Sequence, residues 1–377
     1  MSDRTDPRTD PSGDALLDAI TALVPTLMNA LDGLAHASRY LHPPVLQELL
    51  DAVQPLGPPL ADAVKRFDEP TWPEHMQGFR QTLLESADQA LKAYSGLADA
   101  ASSADGVTSA YRALRFSSRA REALYPVAAA LPPVSRFFLD PRHREDEALV
   151  DRVSSADFGR EGCGVMHVEN DKTQRGGFSL YVPEYFDAGE RYPVVFALHG
   201  GSGHGRDFFW SWLPYARSHG FILVAPTSSE RTWSLTNPEA DSARLKAMLD
   251  YVNEHWPIDS NRQLISGMSD GGTFSWLEGL FGDAGFTHIA PVSASFHPML
   301  LEGAEPERIA SLPVYLVHGA LDWMFEVDSA RSADRALRER GASVIYREIP
   351  DLSHTYPVTE SGLIGDWLKA TPAPASS

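Results

Sequence analysis

The chain has 377 residues, of which 43% are hydrophobic and 22% are charged, a composition typical of a globular protein with a sizeable core. Its formal net charge of -19 at pH 7 argues against nucleic-acid binding, because a phosphate backbone would be repelled unless a strong basic patch were present. The nearest candidate patch, at residues 115–121, is surrounded by acidic segments. Nucleic acid is therefore excluded as the expected partner.

Features that report on location point to the cytoplasm. Cys163 is the only cysteine, which excludes an intrachain disulfide and fits a reducing compartment. The first residues, MSDRTDPRTDPSGD, have neither a basic start nor an apolar run, so they do not resemble a signal peptide. Prolines and charges interrupt the apolar stretches, and we expect no integral membrane segment.

The N-terminal part, residues 14–155, is predicted to be all-helical. Apolar residues recur with helical spacing, first at Leu16, Ile20, Leu23, Leu27 and Leu31. Further helices are predicted near Val45, Met76 and Val107, and residues 143–157 indicate a last helix with a linker. A lid, a surface for homo-oligomers and a binding module are the open roles for this region. Residues 1–13 and 371–377 are predicted to be disordered.

The second part, residues 156–370, alternates between strand and helix patterns. The runs CGVMHV and GGFSLYV predict an antiparallel pair of strands. Five later apolar runs are each followed by a loop and a helical segment: VVFALHGG, GFILVAPT, QLISGMSDGG, HIAPVSASF and VYLVHGALD. This alternation predicts an α/β fold whose mostly parallel sheet is covered by helices on both faces. In such sheets functional residues collect at the carboxyl ends of the strands.

Ser269 is the candidate nucleophile. It lies in LISGMSDGGTFSW, with Gly267 and Gly271 two residues to either side. The G-x-S-x-G pattern alone is modest evidence, since a glycine-rich turn with an incidental serine gives the same match. Its position between a predicted strand and a predicted helix, however, favours a sharp turn that raises the hydroxyl above the sheet and leaves no room for side chains at the two glycines.

A serine nucleophile needs a base and a group that orients the base. His354, in IPDLSHTYP after the predicted last strand, is the candidate base. Asp322, which follows VYLVHGA, is the candidate acid; Asp328 is the alternative, although its position is typical of a helix cap. The chain order of serine, aspartate and histidine is the order expected of an α/β-hydrolase.

Two backbone N–H groups are predicted to bind the oxyanion of the tetrahedral intermediate. One belongs to Asp270, directly after the nucleophile, and the other to Gly201 in LHGGSGHG. A tight turn or a phosphate-binding loop would use similar glycines. No G-K-[ST] follows them, which excludes a P-loop.

Position near the predicted strand ends suggests roles for several other polar and aromatic residues. Candidate substrate contacts are His204, Asp207, Trp233 and Trp323, with a core position equally open for Trp233. His199 and His318 fit a role in anchoring loops by hydrogen bonds. The sequence has no H-E-x-x-H motif and no clustered Cys/His spacing, so we expect neither a metal nor a cofactor.

From about residue 160 onward, roughly three-fifths of the chain, the sequence resembles the α/β-hydrolase serine esterases of the phospholipase/carboxylesterase family and their polyhydroxybutyrate-depolymerase-like and feruloyl-esterase-like relatives. The segments that carry the resemblance are YVPEYFDAGERYPVVFALHGGSGHG, PIDSNRQLISGMSDGG, VYLVHGALDWMFEVDSAR and LSHTYPVTESGLIGDWL. The resemblance implies Ser269 as nucleophile, Asp322 as acid, His354 as base, and Gly201 and Asp270 as backbone donors.

The expected activity is hydrolysis of a small carboxylic ester through an acyl-enzyme. Two departures from the family leave the substrate open. The acid loop, HGALDWMFEV, is bulky and has Glu326 where relatives often have proline, and the N-terminal helices are not part of the family fold. A thioesterase, acyltransferase or peptidase on the same triad, and a non-catalytic scaffold with a helical binding module, are the alternatives.

Overall fold

The computed structural model of the protein describes residues 11–371. The predictions of disorder at the two ends lie outside these residues, except at residues 11–13, which belong to the first helix, and at Thr371. In chain order the α-helices are α1 Pro11–Tyr40, α2 Leu46–Val53, α3 Gly57–Asp68, α4 Gln77–Ala101, α5 Gly106–Leu124, α6 Pro132–Phe137, α7 Glu147–Ser154, α8 Gly205–Phe208, α9 Leu213–His219, α10 Glu239–His255, α11 Asp270–Phe281, α12 Met299–Gly303, α13 Pro306–Ser311, α14 Val327–Glu339 and α15 Glu360–Ala370. The strands are β1 Gly164–Val168, β2 Phe178–Val182, β3 Tyr192–Leu198, β4 Ile222–Pro226, β5 Ile258–Met268, β6 His288–Val292, β7 Val314–Gly319 and β8 Val344–Ile349.

The chain divides into two compact units between Phe137 and Phe138. The boundary predicted at residues 155/156 is therefore wrong. Helix α7, which was assigned to the helical region, belongs to the second unit: its Leu149 and Val153 pack in a buried cluster with Leu139. An amphipathic pattern predicts the helix and its buried face, but it does not predict which neighbour covers that face.

The first unit is helical, as predicted. Helices α4 and α5 pack along each other, and α1 packs against α3. Contrary to the expectation from the sequence, α1 is long and apolar enough over Gly13–Tyr40 to cross a membrane by length and composition. In the structure it buries one face; the fully buried residues on this face include Leu23, Leu27, Leu31 and Leu34.

The second unit is built on an eight-stranded sheet with the strand order β1-β2-β4-β3-β5-β6-β7-β8. The pairs β1/β2 and β2/β4 are antiparallel, and every later neighbour pair is parallel. All eight strands coincide with strand patterns in the sequence. The predicted α/β fold with a mostly parallel sheet is confirmed.

Alternate residues along the central strands pack on opposite faces of the sheet. On β3, Val194 and Phe196 join a large core with residues of α10, α11 and α14. The residues between them, Val195 and Ala197, are also fully buried, and helices α9 and α15 contact the sheet and each other. Because successive side chains of a strand point to opposite faces, helices cover both. Side chains in the middle of these strands are therefore shielded from solvent.

Candidate active site

The nucleophile turn forms where β5 ends and α11 begins. Ser269 joins them with φ 55° and ψ −120°, a backbone conformation that non-glycine residues rarely adopt. A side chain on Gly267 would begin 2.4 Å from the backbone carbon of Gly271, and one on Gly271 would begin 2.5 Å from the carbonyl oxygen of Leu198. The collisions predicted for these two glycines are thus found in the structure.

The three predicted side chains meet at the carboxyl end of the sheet. The Oγ of Ser269 lies 3.1 Å from Nε2 of His354, and Nδ1 of His354 lies 2.9 Å from Oδ2 of Asp322 and 3.1 Å from its Oδ1. The residues are 8%, 4% and 8% exposed, respectively. With a proton on Nδ1, His354 donates to the carboxylate and accepts the serine hydroxyl proton at Nε2. This tautomer is the one a general base needs.

The carboxylate of Asp322 is held by its own loop. Its Oδ1 accepts hydrogen bonds from the backbone N–H groups of Met324 at 3.0 Å and Phe325 at 2.9 Å. Burial favours the neutral carboxyl, but the hydrogen bond and charge of His354, with these two N–H groups, outweigh it and hold the pKa of Asp322 below its usual value. Asp322 therefore stays ionised where the imidazole needs a counter-charge.

Asp328, the alternative acid, does not reach the site. It lies in the first turn of α14 and forms an exposed ion pair with Arg331 at 2.9 Å.

Gly201 and Asp270, the residues of the predicted oxyanion donors, lie close to each other. A side chain on Gly201 would begin 2.7 Å from Oδ2 of Asp270, the first residue of α11. A side chain on the neighbouring Gly200 would begin 3.4 Å from the Cβ of Ser269. A helix N-terminus carries unpaired N–H groups and a partial positive charge, which suits a developing oxyanion.

Hydrogen bonds from two side chains hold the loop that carries Gly200 and Gly201, and a third side chain holds Asp270. Nδ1 of His199 donates to the carbonyl of Gly200 at 2.7 Å, as expected for a loop anchor. The indole N–H of Trp233 donates to the carbonyl of His199 at 2.8 Å. Thr232 donates from Oγ1 to the carboxylate of Asp270 at 2.6 Å. Thr232 was missed in the sequence, where only its place after the end of β4 could have suggested it.

Two of the predicted substrate contacts, His204 and Trp233, have bonding or packing partners within the protein. His204 is the N-cap of α8: its Nδ1 accepts the N–H of Arg206 and its Nε2 donates to the carbonyl of Gln174. Trp233 is buried within the main core, and its ring packs against that of Phe274 with 5.4 Å between the ring centres. Asp207 lies in the first turn of α8.

Trp323 differs from these residues because it faces solvent. It directly follows the catalytic-acid candidate and is 49% exposed; its neighbours Leu321 and Met324 are exposed as well. The acid loop thus presents an apolar surface next to Asp322, and Trp323 remains a candidate substrate contact.

One cluster in the second unit has the composition of a metal site. Ligand atoms of Asp140, His143 and His219 lie within 4.8 Å of one another. However, the guanidinium of Arg142 lies 2.7 Å from Oδ2 of Asp140 and 3.4 Å from Nε2 of His219. Since a cation is already bonded to the shared carboxylate oxygen, the residues form an ion-pair network that does not need a metal.

Comparisons with known proteins find partial sequence similarity to serine hydrolases. No protein-family model matches the chain. The sequence is 26% identical over 260 residues to the probable dipeptidyl-peptidase 5 of Aspergillus flavus, covering 55% of the chain and 34% of that protein. It is 32% identical over 104 residues to feruloyl esterase B of Thermothelomyces thermophilus, covering 25% of the chain and 35% of that esterase. The chain spans about a third of the length of these curated relatives.

The strand order, the nucleophile turn and the triad occur together in the second unit. It has the α/β-hydrolase fold. The α/β-hydrolase fold implied by the sequence resemblance is thereby confirmed, and the geometry is that of a serine hydrolase active site. Among solved structures the chain is similar to a thermostable esterase, with a TM-score of 0.46, 22% identity and coverage of 55% of the chain and 62% of that structure. It is also similar to the fluorophosphonate-binding serine hydrolase FphF of Staphylococcus aureus, with a TM-score of 0.43, 16% identity and coverage of 55% and 98%.

Proposed function

We propose that the protein is a serine hydrolase that cleaves carboxylic esters through an acyl-enzyme. The observation that carries the proposal is the continuous hydrogen-bonded chain from the Ser269 hydroxyl through His354 to Asp322. Such a chain has a specific chemical use, because a serine hydroxyl is a weak nucleophile until a neighbouring base takes its proton.

The first half of the reaction acylates the serine. Nε2 of His354 takes the hydroxyl proton while Oγ of Ser269 bonds to the ester carbonyl carbon, and the carbonyl oxygen becomes an oxyanion facing the N–H groups of Gly201 and Asp270. Asp322 stabilises the imidazolium that forms. The carbon–oxygen bond to the leaving group then breaks, and the imidazolium gives its proton to the departing alcohol.

The second half releases the acid. Water gives a proton to Nε2 of His354 and its oxygen attacks the acyl carbon; the intermediate collapses, and Ser269 recovers its proton. No step requires a cofactor.

Apolar esters are the proposed substrates within this class. Their support is the exposed surface of Leu321, Trp323 and Met324 beside the acid, together with the local similarity to a feruloyl esterase. Lysophospholipids, other phospholipid esters and thioesters belong to the same proposal, because the acyl transfer is the same in each case.

A peptidase is the second candidate. It is favoured by the longer similarity to a dipeptidyl-peptidase, over 55% of the chain. Peptide hydrolysis would use the same triad with an amine as the leaving group.

The test combines a covalent probe with a substrate panel. A fluorophosphonate should label Ser269 in the wild-type chain, and Ser269→Ala should lose both labelling and ester turnover without loss of folded structure. Ser275→Ala is the matched control, since its buried hydroxyl lies on the same helix and bonds to the carbonyl of Gly271. Turnover of dipeptide amides but not of graded acyl esters would replace the ester proposal with the peptidase; an unlabelled wild-type chain without turnover would reject both.

Two predictions about cellular context stay predictions. The cytoplasm is supported by the single cysteine, and cell fractionation would test it. The first unit retains its three open roles as lid, oligomerisation surface or binding module.

A further inference from the structure

A second histidine, His318, lies behind the catalytic acid. It is the penultimate residue of β7, four positions before Asp322, and it is fully buried. Its Nε2 lies 2.9 Å from the carbonyl oxygen of Phe325 and 3.5 Å from Oδ2 of Asp322. The same carboxylate oxygen lies 2.9 Å from Nδ1 of His354. Oδ2 of Asp322 is therefore placed between two imidazoles.

The contacts of His318 define its tautomer. A carbonyl oxygen only accepts hydrogen bonds, so the proton is on Nε2. The other nitrogen, Nδ1, is buried and has no hydrogen-bond partner among residues 11–371. A charged His318 would bury an unpaired N–H there, which is costly. Burial also lowers the pKa of His318, and the hydrogen bond to the Phe325 carbonyl and the nearby Asp322 carboxylate only partly offset this effect.

The hydrogen bond to Phe325 closes the loop that carries the acid. Phe325 donates its N–H to Oδ1 of Asp322 and accepts from His318 at its carbonyl. Its ring packs edge-on against the imidazole of His354, with 5.3 Å between the ring centres. One residue thus connects His318 to both partners of the acid–base pair.

We propose that His318 is a positioning residue of the active site, which as a neutral donor fixes the Asp322–Phe325 loop and leaves the carboxylate charge available to His354. A charged His318 would compete with His354 for the same oxygen. The role is that of an orienting neighbour, since His318 touches neither Ser269 nor the predicted oxyanion donors. The inference rests on the proposed function of the triad.

A further charged group near His318, the carboxylate of Glu348, has its own bonding partners. Glu348 is opposite His318 in the pairing of β7 with β8, and its carboxylate binds Arg331 and Tyr346. The charge of Glu348 also acts on His318, where it raises the pKa. Its hydrogen bonds to Arg331 keep the pKa of Glu348 below its usual value, so its charge is constant through the pH range of activity.

The test measures the pH profile of kcat/KM for a para-nitrophenyl ester. His318→Phe keeps a buried ring but removes the donor; we expect kcat/KM to fall about 10- to 100-fold and its acid limb to move to lower pH by about half a unit or more, because a displaced carboxylate stabilises the imidazolium less well. His318→Gln restores a donor at the position of Nε2 and should return both quantities toward the wild-type values. His288→Phe is the control: this histidine is also fully buried, but it begins β6 at the opposite end of the strand from the triad, so its replacement should leave the profile unchanged.

Several outcomes would overturn the inference. If His318→Phe lowers only the thermal stability and keeps the wild-type acid limb, the histidine is merely structural. If His318→Gln shifts the limb as far as His318→Phe, the donor is not what matters. Nitrogen-15 NMR of histidine-labelled wild-type protein gives an answer even if the variants do not fold: a neutral, Nε2-protonated His318 through the active pH range is expected, and a protonated one would contradict the proposal. If wild-type protein cleaves the ester and Ser269→Ala does not, these failures reject His318 alone and leave the proposed function intact.

Discussion

The Nε2 of His354 lies 3.1 Å from the hydroxyl oxygen of Ser269, although 85 positions separate the two residues in the chain. The sheet makes this possible. Ser269 follows β5, Asp322 follows β7 and His354 follows β8, and these parallel strands all end at the same edge. The catalytic geometry therefore depends on strand register and on short connections, and it can be examined by single substitutions at each strand end.

Asp322 and Asp328 offer a matched pair of aspartates. Asp322→Asn removes the charge that stabilises protonated His354 and permits the wrong tautomer, so we expect kcat to fall about 10³- to 10⁴-fold. Asp328→Asn removes only an exposed ion pair with Arg331, which contributes about 0–1 kcal/mol to stability, and kcat should stay near the wild-type value. Measuring kcat for an ester with both variants at one pH shows which aspartate is the acid of the triad. A large loss in Asp328→Asn with a small loss in Asp322→Asn would reverse the assignment of the acid.

Gly271→Ala should prevent the nucleophile turn from forming. The added methyl group would begin 2.5 Å from the carbonyl oxygen of Leu198 in β3, and neither backbone segment can move without disturbing the sheet. We expect loss of activity together with a marked fall in unfolding temperature. Gly78→Ala, on helix α4, has open space around the added methyl group and should be neutral or stabilising by up to about 1 kcal/mol. Wild-type stability of Gly271→Ala would show that the turn is less crowded than the structure indicates.

His288 should make the protein less stable in mild acid. Burial lowers its pKa from the usual 6.5 to about 4. Between these values the unfolded chain binds a proton that the folded chain does not, so the free energy of unfolding decreases as the pH is lowered from about 6.5 to about 4. The decrease amounts to about 3 kcal/mol for a shift of this size.

Urea titrations at several pH values would measure this slope. His288→Phe cannot take up the proton and should show a flatter dependence in the same window. Equal slopes for wild type and variant would mean that the pKa of His288 is the same in the folded and unfolded states.

Trp323 should affect the choice of substrate and not the chemistry. Its ring is 49% exposed beside the acid, and Trp323→Ala should lower kcat/KM about tenfold for long-chain or aromatic acyl esters and leave acetyl esters almost unchanged. Phe281→Ala is the control, because Phe281 is also 49% exposed but lies at the end of α11 far from Ser269. An equal loss of kcat/KM for all acyl lengths would mean that Trp323 stabilises the loop and does not bind the acyl group.

Much of the fold and the triad could be predicted from the sequence because their signals are local. Each strand of the second unit is a short apolar run, and each triad residue directly follows such a run. The expected chain order of serine, aspartate and histidine then limits which residues can form the triad. In contrast, helix α3 was missed, since Gly57, Pro58 and Pro59 at its start resemble a turn, although proline is well suited to the first positions of a helix.

Hydrogen-bond and packing partners that only the folded chain defines could not be predicted. The polar tips of His204 and Trp233 bond to backbone carbonyls distant in sequence, at Gln174 and His199. Helix α7 was assigned to the wrong unit for the same reason. Hydrophobic spacing and strand-end position predict that a residue is buried or near a site, but the hydrogen-bond partner depends on the tertiary fold.

The left-handed backbone of Ser269 also has an evolutionary consequence. Such a conformation costs a residue with a side chain about 1–3 kcal/mol, and glycine would adopt it with less strain. Selection for stability alone would thus favour glycine at this position, in a protein that is more stable but lacks the nucleophile. In this chain the strained position carries serine and not glycine, a choice that stability alone does not favour.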